Sequence, residues 1–293
     1  MNDPYICARQ LSKSFDRHGV LSGICAEVRA GDVIGLLGAN GAGKTTLIEV
    51  LLGLSPPNAG SALLFGADAI RAPASSKARI GYVPQSDELV GMLSGRQYLD
   101  LISSFYPAWD ATLTASLVEQ WHVDLGKSIA ACSTGERQKI AIICALAHRP
   151  DLLVLDEPVA SLDAVARRQF LQQILQVAAD ERRAVLFSSH IVSDVERLAT
   201  IIWILKDREL LWQGDLDTLK ESVIRVHVPA DAREGIRASF HRVVAERAVN
   251  GSGWILTAVR SPQEDWTDLP QKLGSGVRVE SLGLEDIFLE LHS

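Results

Sequence analysis

The run Val33-Ile-Gly-Leu-Leu37 is followed at once by Gly38-Ala-Asn-Gly-Ala-Gly-Lys-Thr-Thr46 and then by the apolar segment Leu47–Leu52. A strand, a G-x-x-x-x-G-K-[ST] turn and a helix in direct succession leave few folds open. Glycines let the backbone turn tightly, so successive N–H groups converge on one point. The helix that starts near Lys44 adds the positive end of its dipole. Such a nest suits phosphate oxygens. Gly38, Asn40, Gly41, Ala42, Gly43, Lys44, Thr45 and Thr46 are therefore assigned to a nucleoside triphosphate. Lys44 is expected to reach the β- and γ-phosphates, and the Thr45 hydroxyl to ligate magnesium (Mg2+).

The rest of the first two thirds fits an α/β fold around this loop. Short apolar runs recur at Ile80–Val83, Leu152–Leu155, Ala184–Phe187 and Ile201–Leu205, with helix-like segments between several of them. Continuous apolar strands alternating with helices predict a mostly parallel sheet covered on both faces. Tyr5–Ser14 and Leu21–Arg29 read as antiparallel strands beside it. Arg96–Phe105, Ala111–Trp121 and Glu136–Ala147 read as helices of an insertion spanning about 88–149. After Gly214 the pattern changes, with strands at Ile224–Val228 and Trp254–Val259. A terminal helix follows, with Leu284, Ile287, Phe288 and Leu291 on one face. The expected organisation is a phosphate-loop core over 1–214, with an antiparallel β subdomain and a helical insertion. A small α+β domain follows over 215–293.

A second chemical element follows the strand Leu152-Leu-Val-Leu155. Asp156 and Glu157 at its end place two carboxylates at the carboxyl edge of the sheet, where such sheets bind ligands. Asp156 fits an acid associated with the metal. Glu157 fits a general base that polarises the attacking water.

Together with four further motifs, these residues resemble the nucleotide-binding subunit of an ATP-binding-cassette (ABC) transporter. Gln85, after Arg79-Ile-Gly-Tyr-Val-Pro84, is similar to the Q-loop glutamine that contacts magnesium and water. Cys132-Ser133-Thr134-Gly135-Glu136 is similar to the signature motif, usually LSGGQ. Ser133 and Gly135 are retained, while Cys, Thr and Glu stand in place of Leu, Gly and Gln. The same letters also read as an ordinary helix N-cap. Leu93-Ser-Gly-Arg-Gln97 matches LSGGQ more closely by letter, but it lies just past Gln85 and reads as a structural helix start. Ala160-Ser161-Leu162-Asp163 resembles the D-loop, with Asp163 reaching towards a second subunit. Ser188-Ser189-His190 resembles the segment that carries the switch histidine. Phe15 sits where the family places an aromatic against adenine, and core packing is an equal alternative for it.

The resemblance spans about 4–214 and implies ATP and Mg2+ as cofactors and ATP hydrolysis as the reaction. It also implies a homodimer, or pairing with a second cassette subunit, through the ATP sites, and a separate membrane permease as partner. The chain would then be cytoplasmic, on the inner face of the cell membrane. The tail Leu284-Glu-Asp-Ile-Phe-Leu-Glu-Leu291 resembles single-cassette exporter ATPases, including drug-resistance types, which implies export.

Bulk properties weigh against the other classes. The longest apolar runs fall far short of the roughly 18 residues of a membrane span. A net charge of −7 is a poor footprint for nucleic acid, so no such partner is expected. A soluble cassette acting on ribosomes or DNA would carry two cassettes or long coiled coils. A low-turnover regulatory module would not need Asp156, Glu157 and His190. Four cysteines without a CxxC pair are expected to be small buried hydrophobes.

Overall fold

Val33–Leu37 is buried at every residue, and so are Leu152–Asp156 and Ala184–Ser188. Strands with no exposed face must lie inside a sheet covered on both sides. The computed structural model describes residues 3–86, 89–159, 161–249, 253–260 and 276–292, with Trp266, Leu269 and Leu273. Glu88 of the expected insertion and Ala160 of the expected D-loop lie outside the described residues. The chain divides into two compact units, Met1–Gln213 and Gly214–Ser293.

In chain order the first unit contains β1 (Ile6–Phe15), β2 (His18–Val28), β3 (Val33–Leu37), α1 (Lys44–Leu51), β4 (Ala59–Leu64), β5 (Ala67–Asp68) and α2 (Ala74–Lys77). It continues with β6 (Ile80–Val83), α3 (Gly95–Ser103), α4 (Ala111–Gln120), α5 (Thr134–Ala147), β7 (Leu152–Asp156) and α6 (Ala164–Ala178). It closes with β8 (Ala184–Ser188), α7 (Val192–Leu198), β9 (Ile201–Lys206) and most of β10 (Glu209–Asp215). The central sheet has the order β10-β9-β3-β8-β7-β6. Its pairs β3–β8, β3–β9, β7–β8 and β6–β7 are parallel. This register places the ends of β3, β7 and β8 side by side, so the loops that follow them share one edge of the sheet. A second sheet, β2-β1-β4-β5, is antiparallel. One apolar core joins the two through residues such as Ile24, Leu36, Leu47, Leu64 and Trp203.

Between β6 and β7 the chain forms α3, α4 and α5. Ser94 opens α3 through a capping box with Gln97, so the letters most like LSGGQ do serve as a structural helix start. The helix α5 lies close against β6. A Cβ built on Gly81 would sit 2.3 Å from the carbonyl oxygen of Ala145. Gly81→Ala is therefore expected to destabilise the fold by about 2–3 kcal/mol, since backbone cannot rotate out of the way. A urea titration that gave an unchanged midpoint would refute this contact.

The second unit contains α8 (Leu216–Ser222), β11 (Val223–Pro229), α9 (Arg233–Ala238), β12 (Arg242–Val249), β13 (Gly253–Val259), β14 (Arg278–Ser281) and α10 (Leu284–His292). Its antiparallel sheet has the order β12-β13-β11-β14. Ile224, Val226, Val228, Leu256 and Ala258 pack with Ile236 and Phe240. In α10, Leu284, Ile287 and Leu291 are buried, and so is Glu290. Glu290 accepts hydrogen bonds from Arg225 (2.9 Å) and Arg247 (3.0 Å), which compensates its burial.

The cysteine expectation needs one correction. Cys7 and Cys132 are buried and Cys144 is partly so, but Cys25 is exposed. It sits on β2, the edge strand of the second sheet, which among the described residues pairs with β1 and leaves alternate residues to solvent.

Candidate functional site

The backbone after β3 turns through two left-handed glycines, Gly41 (φ +79°) and Gly43 (φ +104°). Gly43 is the N-cap of α1 and offers no side-chain cap, which leaves the first N–H groups of the helix open to a ligand. A Cβ on Gly43 would also press to 3.0 Å from Val20. Lys44 is buried and its Nζ donates to the carbonyls of Gly38 (2.9 Å) and Ala39 (3.4 Å). The Ala42 N–H donates to the Ala39 carbonyl and tightens the same turn.

Ten of the predicted residues line one cleft of about 570 Å³: Phe15, Asn40, Gly41, Gly43, Lys44, Thr45, Thr46, Gln85, Glu157 and His190. Val20 also lines it, and nothing in the sequence singles that residue out. Phe15 is 49% exposed, so it forms a wall of the cleft and is not part of the core. The Thr45 hydroxyl donates to Gln85 Oε1 at 3.2 Å. This brings the ends of two separate segments, 40 residues apart, to a common point.

The carboxylates lie at the end of β7. Asp156 is fully buried, and Glu157 nearly so. Glu157 Oε1 lies 3.5 Å from Lys44 Nζ. Its Oε2 accepts the backbone N–H of His190 (3.2 Å) and lies 2.6 Å from His190 Nδ1. The residue holds a left-handed backbone, φ +50°. That conformation costs a non-glycine residue about 1–2 kcal/mol, and it turns the side chain out of the strand's alternation.

Ser188 connects the two acids. Its hydroxyl donates to Asp156 Oδ1 at 2.5 Å and accepts the Glu157 N–H at 2.8 Å. The serine belongs to Ser188-Ser189-His190, but sequence reasoning attached a role to His190 alone. Parallel pairing of Asp156 with Ser188 across β7 and β8 is what creates the link.

Asp156 Oδ2 is buried and has no hydrogen-bond partner. A buried carboxylate oxygen without a donor calls for a cation or a water. An oxygen of this kind, like the Thr45 hydroxyl and the Gln85 amide oxygen, is the hard donor that Mg2+ takes.

Six predicted residues lie outside the cleft lining: Gly38, Ala42, Asp156, Ser133, Gly135 and Asp163. Ser133 is the N-cap of α5 and closes a capping box with Glu136. Gly135 approaches the loop before α6, where an added Cβ would lie 2.9 Å from the carbonyl of Ser161. Asp163 caps α6 through Oδ1, which accepts the N–H groups of Val165 and Ala166 at 2.9 Å each. These bonds hold its carboxyl below the usual range, the Ala166 N–H being the largest cause. The expected reach of Asp163 towards a second subunit therefore falls to its other oxygen. The cleft thus gathers a phosphate loop, a glutamine, a histidine and the acid Glu157, to which buried Asp156 is linked through Ser188, while the signature-like segment stands apart from it.

The sequence profile described as ABC transporter matches residues 21–160. The ABC transporter ATP-binding protein YtrB of Bacillus subtilis (strain 168) is 32% identical over 223 residues, 76% of each chain. Nod factor export ATP-binding protein I of Burkholderia thailandensis is 30% identical over 295 residues, 97% of this chain and 95% of that one. A solved structure of an ATP-binding subunit of an ABC transporter superposes with a TM-score of 0.68 at 26% identity, over 74% of this chain and 92% of that chain. With a phosphate loop and the carboxylate of Glu157 joined in one cleft, and relatives matched along most of their length, this chain belongs to the ABC transporter ATP-binding proteins, a family of ATPases.

Proposed function

We propose that the chain works as a dimer of cassettes that powers a separate membrane permease, in the direction of export. The observation that carries the dimer is the incomplete cleft, because Ser133–Gly135 lies outside its lining. A second copy, or a second cassette subunit, would bring that segment to the γ-phosphate across the interface. ATP then adds contacts in the closed state that vanish on hydrolysis, which is what a ligand needs in order to drive a conformational change. Phe15 stacks on adenine, and Gly38–Thr46 holds the phosphates.

Thr45, Gln85 and Asp156 would hold Mg2+, which when bound would neutralise charge on the phosphate oxygens. Glu157 orients and deprotonates the attacking water. His190 shares the Glu157 carboxylate and faces the γ-phosphate from the end of β8. Export rests on the terminal segment's resemblance and on relatives such as the Nod factor export protein. Among the described residues no helix is long and apolar enough to cross a membrane. The segment after Gln85, with α3, is the surface assigned to it.

If two chains complete each site, specific ATPase activity rises with protein concentration. A specific activity that stayed flat over a hundredfold dilution would remove the dimer. Ser188→Ala is expected to keep ATP binding and lower turnover about 10- to 100-fold, the usual cost of losing a group that orients catalytic ligands. Steady-state kinetics with a fixed thermal midpoint separates this from unfolding.

A further inference from the structure

The helix start at Ser133 carries a charge that its proposed role does not want. Glu136 stands in its first turn, where the resembled motif has Gln. A carboxylate there offsets the positive end of the helix dipole and faces a triphosphate of like sign. The same position also gives the helix its cap. Glu136 Oε2 accepts the Ser133 N–H at 2.8 Å, and the Glu136 N–H donates to Ser133 Oγ at 3.2 Å. Ser133 Oγ serves as an acceptor in the box, and its hydroxyl also hydrogen-bonds the Glu136 carboxylate. The second carboxylate oxygen, Oε1, accepts from Lys127 Nζ at 2.8 Å. Lys127 comes from the loop between α4 and α5 and has a backbone carbonyl fixed by the Gly95 N–H at 3.0 Å. It is therefore tied to the start of α3.

We propose that Lys127 is a positioning residue for closure on ATP: it neutralises Glu136, so that the Ser133–Gly135 helix start can approach a triphosphate. The proposal rests on the reading of Ser133–Gly135 as the segment that completes a partner's cleft. The Lys127 ammonium holds the Glu136 carboxyl down to about 2, so this carboxylate is charged throughout the working range and needs a permanent counter-charge. A glutamine would close the same box with no charge and would make the lysine dispensable.

That last point supplies the test. The full chain carrying Glu157→Gln is titrated with ATP, and dimer formation is followed by light scattering. Adding Lys127→Met is expected to raise the ATP concentration at half-dimerisation about tenfold. Adding Glu136→Gln to Lys127→Met restores it to within about threefold. Binding of a fluorescent ATP analogue to the dilute monomer stays the same in all of them. Loss without rescue would make Lys127 a structural tether and overturn the proposal, and so would an unchanged midpoint in Lys127→Met. Ser133→Asp keeps a good N-cap but places a negative charge at the segment itself. If Ser133→Asp abolishes dimerisation while Lys127→Met does nothing, the proposal fails and the partner-site reading stands. If Ser133→Asp dimerises normally, that reading fails and the proposal falls with it.

Discussion

Glu157→Gln is expected to lower the ATPase rate by at least about a hundredfold while leaving ATP affinity within about threefold. The magnitude follows from removing a general base, a contribution of about 10²–10⁴. The change keeps the shape of the side chain, and the amide oxygen can still accept the His190 N–H that Oε2 accepts at 3.2 Å. It also removes the negative charge 3.5 Å from Lys44, which leaves the ammonium wholly available to phosphate. Binding is therefore preserved or slightly strengthened, and ATP-bound dimers should accumulate in place of product. Single-turnover rates and light scattering on the same sample check both halves. Wild-type turnover would remove Glu157 as the base. Loss of binding with loss of turnover would instead show that it holds the loop in shape.

Lys44→Ala is expected to weaken ATP binding by about a hundredfold or more. A lysine bound to phosphate makes charge-assisted hydrogen bonds, each worth about 1.5–3 kcal/mol. Its side chain is only 7% exposed, so solvent does little to screen it. The same substitution strips the two loop carbonyls of a donor and leaves buried Glu157 with His190 as its remaining close partner. Uncompensated burial of a carboxylate is destabilising, so the thermal midpoint without nucleotide should fall as well. Isothermal titration below that midpoint isolates the binding loss. An affinity equal to wild type would contradict the assignment of the loop.

Much of the cleft was legible because each element ends a buried strand, and strands of this kind announce themselves as short apolar runs. Gly38–Thr46, Asp156, Glu157 and His190 could be placed by their position just after Val33–Leu37, Leu152–Leu155 and Ala184–Phe187. Ser188 was harder. A serine in a strand end has no pattern of its own, and its role exists only because parallel register sets it beside Asp156. Val20 is an ordinary strand valine until β2 is folded over Gly43. The signature segment was legible twice over, as a helix cap and as a phosphate-facing turn, because one Ser133 side chain suits both. The charge on Glu136 was visible in the sequence, but its counter-ion was not, since Lys127 is nine positions away across a loop. In the second unit the strands and the apolar face of the last helix followed from periodicity. Glu290 did not, because a buried acid is explained only by the arginines that the sheet delivers to it.

Position 157 is one at which stability and turnover pull apart. Glycine or asparagine would sit in its left-handed backbone with little strain and release about 1 kcal/mol. A screen that rewarded heat resistance alone would favour such replacements and collect folded chains with no base. The strain survives only where the chain is judged by the work it performs.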